Sequence, residues 1–378
     1  MSNRAYNIYT VIVVSILFLS ISLACLFSPE KDYSESERRA LAGFPSVSLQ
    51  TLANGQFMNE FTDYSLDQFP LRDGFRRIKA VSQYNVFRFR DNNGIYISDG
   101  HAAKMVYPLK EDSVINAADK FGKIYDMYLS ENDNKIIASV VPDKGYFLGE
   151  KRGFLSMDYT KMENIFADNM PFAKYVSIYD TLSIEDYYYT DTHLRQDRIL
   201  DTALRIAYAL DVDINEEYTI KEATDEFFGV YYSQSALPLA PDRINYVTSD
   251  SIEGAAVYNY ENGSTGGVYN FDKLQSKDPY EFFLSGACAL MTIDSPSSDN
   301  DKKLVVFRDS YASSIVPYFI GAYSKITLVD TRYIEPSLLS EYVDFSNCDV
   351  LFLYSTMVLN ESSVLRWLLS KYFLKYFI

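Results

Sequence analysis

Apolar residues recur along this chain with three different spacings, and each predicts a different kind of element. Residues 8–27 carry no charge and, from Val11 onward, are dense in Val, Ile, Leu and Phe. Twenty residues rising ~1.5 Å each span the ~30 Å hydrocarbon layer of a bilayer. With Arg4 ahead of the run, residues 1–28 read as a membrane anchor or signal segment, and the length favours an uncleaved anchor. Ser20, Ser22 and Ala24 are the small residues a signal peptidase would use, and Ser22-Leu23-Ala24-Cys25 only loosely matches a lipoprotein box. Residues 29–48 turn polar, with Pro29, Pro45 and the charged run Glu35-Ser36-Glu37-Arg38-Arg39, and predict a linker.

Beyond residue 49 helical spacing appears. Phe57, Phe61 and Tyr64, then Phe69, Phe75 and Ile78, predict a helix over 54–79 that Pro70 breaks in two. Ile115, Ala118, Phe121, Ile124, Tyr125 and Tyr128 predict a second helix over 113–129. The third pattern is a short continuous apolar run, as a strand buried on both faces requires. Such runs stand at 135–141, 304–307, 326–329 and 350–354, with amphipathic stretches between the last three. That alternation predicts an α/β fold with an open parallel sheet flanked by helices, over residues 49–378. Periodicity fades at about 215–300, where Gly254, Gly263, Gly266 and Gly267 among Asn, Ser and Tyr suggest the loops or short strands of an irregular insertion.

Composition narrows the function. With 48% hydrophobic and 23% charged residues the chain is globular, not disordered. A net charge of −16 leaves no basic excess for phosphates and argues against nucleic acid. The 33 tyrosines suit sugar rings, yet most serve packing, so they point only weakly to carbohydrate. Cys288 and Cys348 are the one pair the folded part offers, and two buried free thiols are favoured over a bridge. Two distant histidines and no paired cysteines give no metal set, and no phosphate loop or other cofactor motif is present.

Histidine-dependent chemistry must use His101 or His193. His101 follows Ser98-Asp99-Gly100 and reads as part of an exposed turn. His193 stands two positions after Asp191, so in extended backbone both side chains project to one side. A carboxylate there fixes the imidazole tautomer and leaves the other nitrogen free as a base. The run 304–307 leads into Arg308-Asp309-Ser310-Tyr311-Ala312, which puts a serine at a strand-to-helix turn on the sheet's carboxyl edge. Serine needs a base to take its proton, so Ser310 calls for His193. Lys144 and Arg332 follow strand ends. They either enter the same cleft as oxyanion or substrate contacts or make structural ion pairs. Tyr189 and Tyr311 flank the relay, lining a sugar path or simply packing.

Strand-Asp-Ser-Tyr with an upstream Asp-x-His resembles the SGNH-type acyl hydrolases. More closely, the chain resembles the alginate acetylation proteins of the AlgX and AlgJ type and the DHHW family. The likeness also takes in Glu37-Arg38-Arg39-Ala40-Leu41, Gly55-Gln56-Phe57, Asp67-Gln68-Phe69-Pro70-Leu71-Arg72, Val141-Pro142-Asp143-Lys144 and Val329-Asp330-Thr331-Arg332-Tyr333. It implies Ser310 as nucleophile, His193 as base and Asp191 as its orienting acid. It further implies an extracytoplasmic O-acetyltransferase or acetylesterase acting on a surface polysaccharide, with a membrane-bound acyltransferase as acetyl donor. The family's Asp-His-His-Trp reads Asp191-Thr192-His193-Leu194 here, and Arg308 stands where many SGNH proteins carry glycine. Those departures keep open a catalytically weak carbohydrate-binding or scaffold role, and a lipid or peptide hydrolase on the same fold is the third alternative.

Overall fold

The computed structural model describes residues 3–34, 37, 39–296 and 301–366. Glu35, Ser36 and Arg38 of the charged run, and residues 367–378 of the predicted domain, lie outside the described residues. The chain divides into two units, Met1–Asn93 with Tyr232–Pro238, and Gly94–Tyr231 with Leu239–Ile378.

The first unit opens with α1 (Asn3–Phe27), a helix long and apolar enough to cross a membrane, none of whose residues is buried by protein. A short helix α2 (Leu49–Ala53) follows, capped reciprocally by Ser48 and Thr51. Then come α3 (Gln56–Asp67) and α4 (Arg72–Val81), separated at Pro70 as the apolar spacing predicts. Their charged residues explain the motifs quoted above. Arg39 donates to both Asp67 carboxylate oxygens at 2.8 and 2.5 Å, and Ala42 N–H adds a third bond at 3.0 Å. The Arg39 contact holds the Asp67 carboxyl below its ordinary range. Glu37 pairs with Arg72 at 2.6 Å, while the Gln68 amide bonds Lys31 through both its oxygen and its nitrogen at 2.9 Å.

The second unit begins with a hairpin of β1 (Ile95–Ser98) and β2 (His101–Lys104), turned through Asp99 and Gly100 in left-handed backbone. Helix α5 (Glu111–Tyr128) leads into β3 (Ile136–Val141), every residue of which is buried. Helix α6 (Tyr159–Asp168), β4 (Lys174–Tyr175) and α7 (Leu200–Leu210) follow. The stretch from 215 to 296 is built largely of loops and strands. It holds a hairpin, β5 (Thr219–Phe227) with β6 (Asp242–Thr248), then β7 (Ala256–Asn259), β8 (Ser264–Gly266) and β9 (Leu290–Asp294). The apolar runs at 304–307, 326–329 and 350–354 are β10 (Lys303–Arg308), β11 (Lys325–Val329) and β12 (Cys348–Ser355).

Among the described residues these build an eight-stranded sheet in the order β8-β7-β9-β11-β10-β12-β3-β4. Strands β11, β10, β12, β3 and β4 run parallel, as expected, and β9, β7 and β8 extend the sheet antiparallel. Leu304 and Val306 face a core shared with α7, whereas Val305 and Phe307 face one shared with α5 and α6. Burying both faces of β10 is what makes its sequence continuously apolar. Burial of each such side chain is worth ~1.5–3 kcal/mol. The result is a three-layer α/β fold whose central strands all end on one edge.

Candidate active site

At that edge the register aligns three strand ends, because Arg308 pairs with Leu353 and Ser355 with Val141. Ligand sites in open α/β sheets gather at such carboxyl ends. Just past β10, Asp309 shapes the turn. One of its oxygens accepts from Tyr311 N–H at 3.0 Å, the other from Ser355 N–H at 2.7 Å at the end of β12. Ser310 therefore sits on a turn pinned to two strands, and a short helix, Ala312–Ile315, starts two residues later. Asp309 serves this turn, with both its oxygens occupied by backbone.

Asp191 and His193 come from a tight loop closed by a Tyr187–Leu194 bridge and a Tyr188 N–H bond to the His193 carbonyl at 3.2 Å. One Asp191 oxygen accepts both the His193 N–H at 3.0 Å and Nδ1 at 2.6 Å; the other accepts Val230 N–H at 2.7 Å. With Nδ1 turned to the carboxylate as donor, Nε2 is the unprotonated nitrogen, 2.8 Å from Ser310 Oγ. The three residues singled out in the sequence thus form one hydrogen-bonded chain. Asp191 and His193 are buried, and Ser310 is partly open to solvent.

Two supports of this chain carry no signal in the sequence pattern. Tyr280 lies flat on the His193 ring, with centroids 3.7 Å apart and planes 3° from parallel. It fixes the imidazole plane. Gly229 passes so close to Asp191 that an added Cβ would stand 2.3 Å from Asp191 Cβ and 2.4 Å from its Cα. Gly229→Ala is expected to push the Asp191 loop out of line and cut turnover of an acyl ester ~10–100-fold with the fold retained, as circular dichroism and steady-state kinetics will show.

The remaining candidates are supports of the cleft. Arg308 has no exposed surface; it donates to Ser313 Oγ at 3.2 Å and reaches the Gly286 carbonyl at 3.5 Å. Arg332 forms a two-pronged pair with Asp330 in its own loop, at 2.9 and 2.6 Å. Tyr311 is buried, its hydroxyl 2.5 Å from Thr192 Oγ1, which also accepts from Tyr231 at 2.9 Å. Thr192, at the family's first His, thus joins a hydroxyl cluster beside the base, and Leu194, at the Trp position, is core. Tyr189 is exposed, and its ring lies 4.4 Å from that of His101, tilted by 32°.

His101 itself corrects the expectation of an exposed turn. The turn is there, but His101 opens β2 and is fully buried, and burial, with the Lys144 charge, holds its pKa below the ordinary value. Cys288 and Cys348 are free and buried, the second pushed up to about 12 by burial.

Lys144 is buried and does not enter the cleft. Its Nζ donates to the carbonyls of Ala102 at 2.7 Å and Tyr189 at 3.2 Å, tying β2 to the loop that carries Asp191. Burial lowers its pKa to about 7, opposed in part by Asp242 and Asp191. A neutral amine still has two N–H groups for those two carbonyls. Below about 7 the amine is charged in both folded and unfolded chain; between about 7 and 10.5 only the unfolded chain keeps the proton. Stability from this group therefore rises with pH through that window, by up to ~1.4 kcal/mol per unit. Denaturant unfolding of Lys144→Met at several pH values is expected to show a flatter dependence than the unmodified chain.

No protein-family profile matches the sequence, and no curated protein matches it. Solved structures do. A DHHW family protein from Eubacterium siraeum aligns with TM-score 0.61 and 22% identity, over 74% of this chain and 98% of that one. Bacillus cereus PatB1 with a sulfonyl adduct aligns with TM-score 0.57 and 16% identity, over 70% of this chain and 95% of PatB1. PatB1 alone gives TM-score 0.57 and 15% identity. The likeness is one of fold, and it spans nearly the full length of both proteins compared.

Proposed function

We propose that this chain is a membrane-anchored serine acyl-transfer enzyme working outside the cytoplasm, an O-acetyltransferase or acetylesterase for a cell-surface polysaccharide. One observation carries the reading: the unbroken Asp191–His193–Ser310 hydrogen-bond chain with Nε2 2.8 Å from Oγ. A membrane-bound acyltransferase would present the acetyl donor, and helix α1 would hold the enzyme beside it.

In the first half-reaction, Ser310 Oγ attacks the acetyl carbonyl carbon as its proton passes to His193 Nε2. The backbone N–H of Ser310, at the strand-to-helix turn, is the proposed donor to the developing oxyanion. The imidazolium, held by Asp191 below and Tyr280 against its face, returns the proton to the donor's leaving oxygen, and acetyl-Ser310 remains. In the second half, a sugar hydroxyl or water gives its proton to Nε2 and attacks the ester. As the adduct collapses, Nε2 returns that proton to the departing Ser310 Oγ, and the acetyl group is left on the acceptor.

A fluorophosphonate probe tests the nucleophile. The folded chain is expected to be labelled, and Ser310→Ala to lose the label entirely. PatB1, the comparison protein with a sulfonyl adduct, suggests a sulfonyl halide as an independent second probe. A folded chain that neither probe modifies would support a scaffold or carbohydrate-binding component instead.

A further inference from the structure

The strongest unexplained feature outside the site is an apolar and basic surface in the first unit. Leu71, Phe75 and Ile78 on and just before α4 point outward, Leu71 82% and Ile78 64% exposed. Val86, Phe87 and Phe89 continue the exposed apolar surface beyond it. A soluble domain does not ordinarily leave so many large apolar side chains together in water. The charge of the same segment is equally out of place. Residues 71–90 hold six basic residues against the single acid Asp73, in a chain whose net charge is −16. Arg72 and Arg76 pair with Glu37 at 2.6 and 3.4 Å, and Arg77, Lys79, Arg88 and Arg90 are exposed.

Geometry within the unit says what covers this surface. Lys31, four residues past the end of α1, is bonded through its backbone to the Gln68 side chain in both directions. Glu30 accepts from the Tyr64 hydroxyl at 2.8 Å on α3. Ser28 and Pro29 line one cavity of about 680 Å³ with Pro70, Leu71 and Gly74. The start of α4 is therefore fixed within a few residues of the point where a membrane-spanning α1 leaves the bilayer. Phenylalanine, leucine and isoleucine beside arginine and lysine are the chemistry of an element lying in the headgroup layer.

We infer that residues 71–90 lie on the bilayer, their exposed apolar side chains in the lipid interface and Arg77, Lys79, Arg88 and Arg90 on anionic headgroups, so that the first unit docks on the membrane through a second contact besides α1. The inference rests on the reading of α1 as a membrane span. Its consequence for the proposed reaction is a short, braced distance between the first unit and the membrane, where a membrane-held acyl donor would stand.

The test uses the full chain in nanodiscs of phosphatidylcholine with phosphatidylglycerol. Nitroxide labels are placed by Phe75→Cys, Ile78→Cys, Phe87→Cys and, inside the span, Leu17→Cys, in a Cys25→Ser background. The expected result is that labels at 75, 78 and 87 relax with oxygen and are several-fold protected from a water-soluble nickel reagent. Lys79→Glu with Arg88→Glu is expected to remove that protection. Nickel-accessible labels at 75, 78 and 87 beside a protected label at 17 would overturn the inference and leave the span standing; such a face would then await a protein partner. A label at 17 open to nickel would overturn both.

Discussion

Ser310→Ala and His193→Ala are each expected to lower hydrolysis of a small acetyl ester by at least ~10³-fold, and the double variant should be no slower than either alone. The magnitude follows from interdependence. Without Nε2 at 2.8 Å, the Ser310 hydroxyl keeps its proton and is a weak nucleophile; without Oγ, the base has nothing to activate. Residues that act as one unit lose the whole function at the first removal, whereas independent contacts would add. Both variants should fold, since Ser310 is partly solvent-exposed and lies outside the strands, and His193 contributes through its ring contacts and not through the hydrophobic core. Rates for the two single variants and the double, each with a thermal melt, supply the comparison.

Asp191→Asn is the second large effect, expected at ~10²–10⁴-fold in kcat with little change in KM. Three donors converge on this carboxylate: His193 N–H, His193 Nδ1–H and Val230 N–H. An asparagine offers one oxygen and one NH₂ to the same positions. Either the NH₂ meets Val230 N–H and the loop moves, or it meets Nδ1 and drives the imidazole to the tautomer with its proton on Nε2. In the second case Nε2 can no longer accept from Ser310. Steady-state kinetics separate this from a binding defect, because a tautomer error lowers kcat while leaving the acyl-binding surface intact.

Much of the fold was legible because the relevant strands are buried on both faces. The runs at 304–307, 326–329 and 350–354 have no polar face to interrupt them, and each is a central strand. The same logic explains what was hidden between 215 and 300. β7 alternates buried and exposed positions and the edge strand β8 is exposed throughout, so neither leaves an apolar run to read. At the site, two histidines forced a choice that Asp191 decided, and the serine announced itself at the end of a strand. Tyr280 could not be singled out among 33 tyrosines. Gly229 was equally silent, because only the folded chain brings its backbone against Asp191. His101 was misplaced because a turn signal gives the turn and not the packing of the strand after it. Lys144 and Arg332 were left between cleft contacts and structural ion pairs; Arg332 pairs with the neighbouring Asp330, and Lys144 is tied to two backbone carbonyls.

The most direct test of the central claim is to look for the acyl-enzyme itself. The purified chain is mixed with an activated acetyl ester, quenched in acid within the first turnovers, digested and read by mass spectrometry. The account predicts one added acetyl group on the peptide that carries Ser310, absent from Ser310→Ala. It also predicts slower loss of that group in His193→Ala, acylated beforehand by long exposure to a high donor concentration. An acetyl group found on another residue while ester turnover proceeds, or turnover that persists in Ser310→Ala, would contradict it.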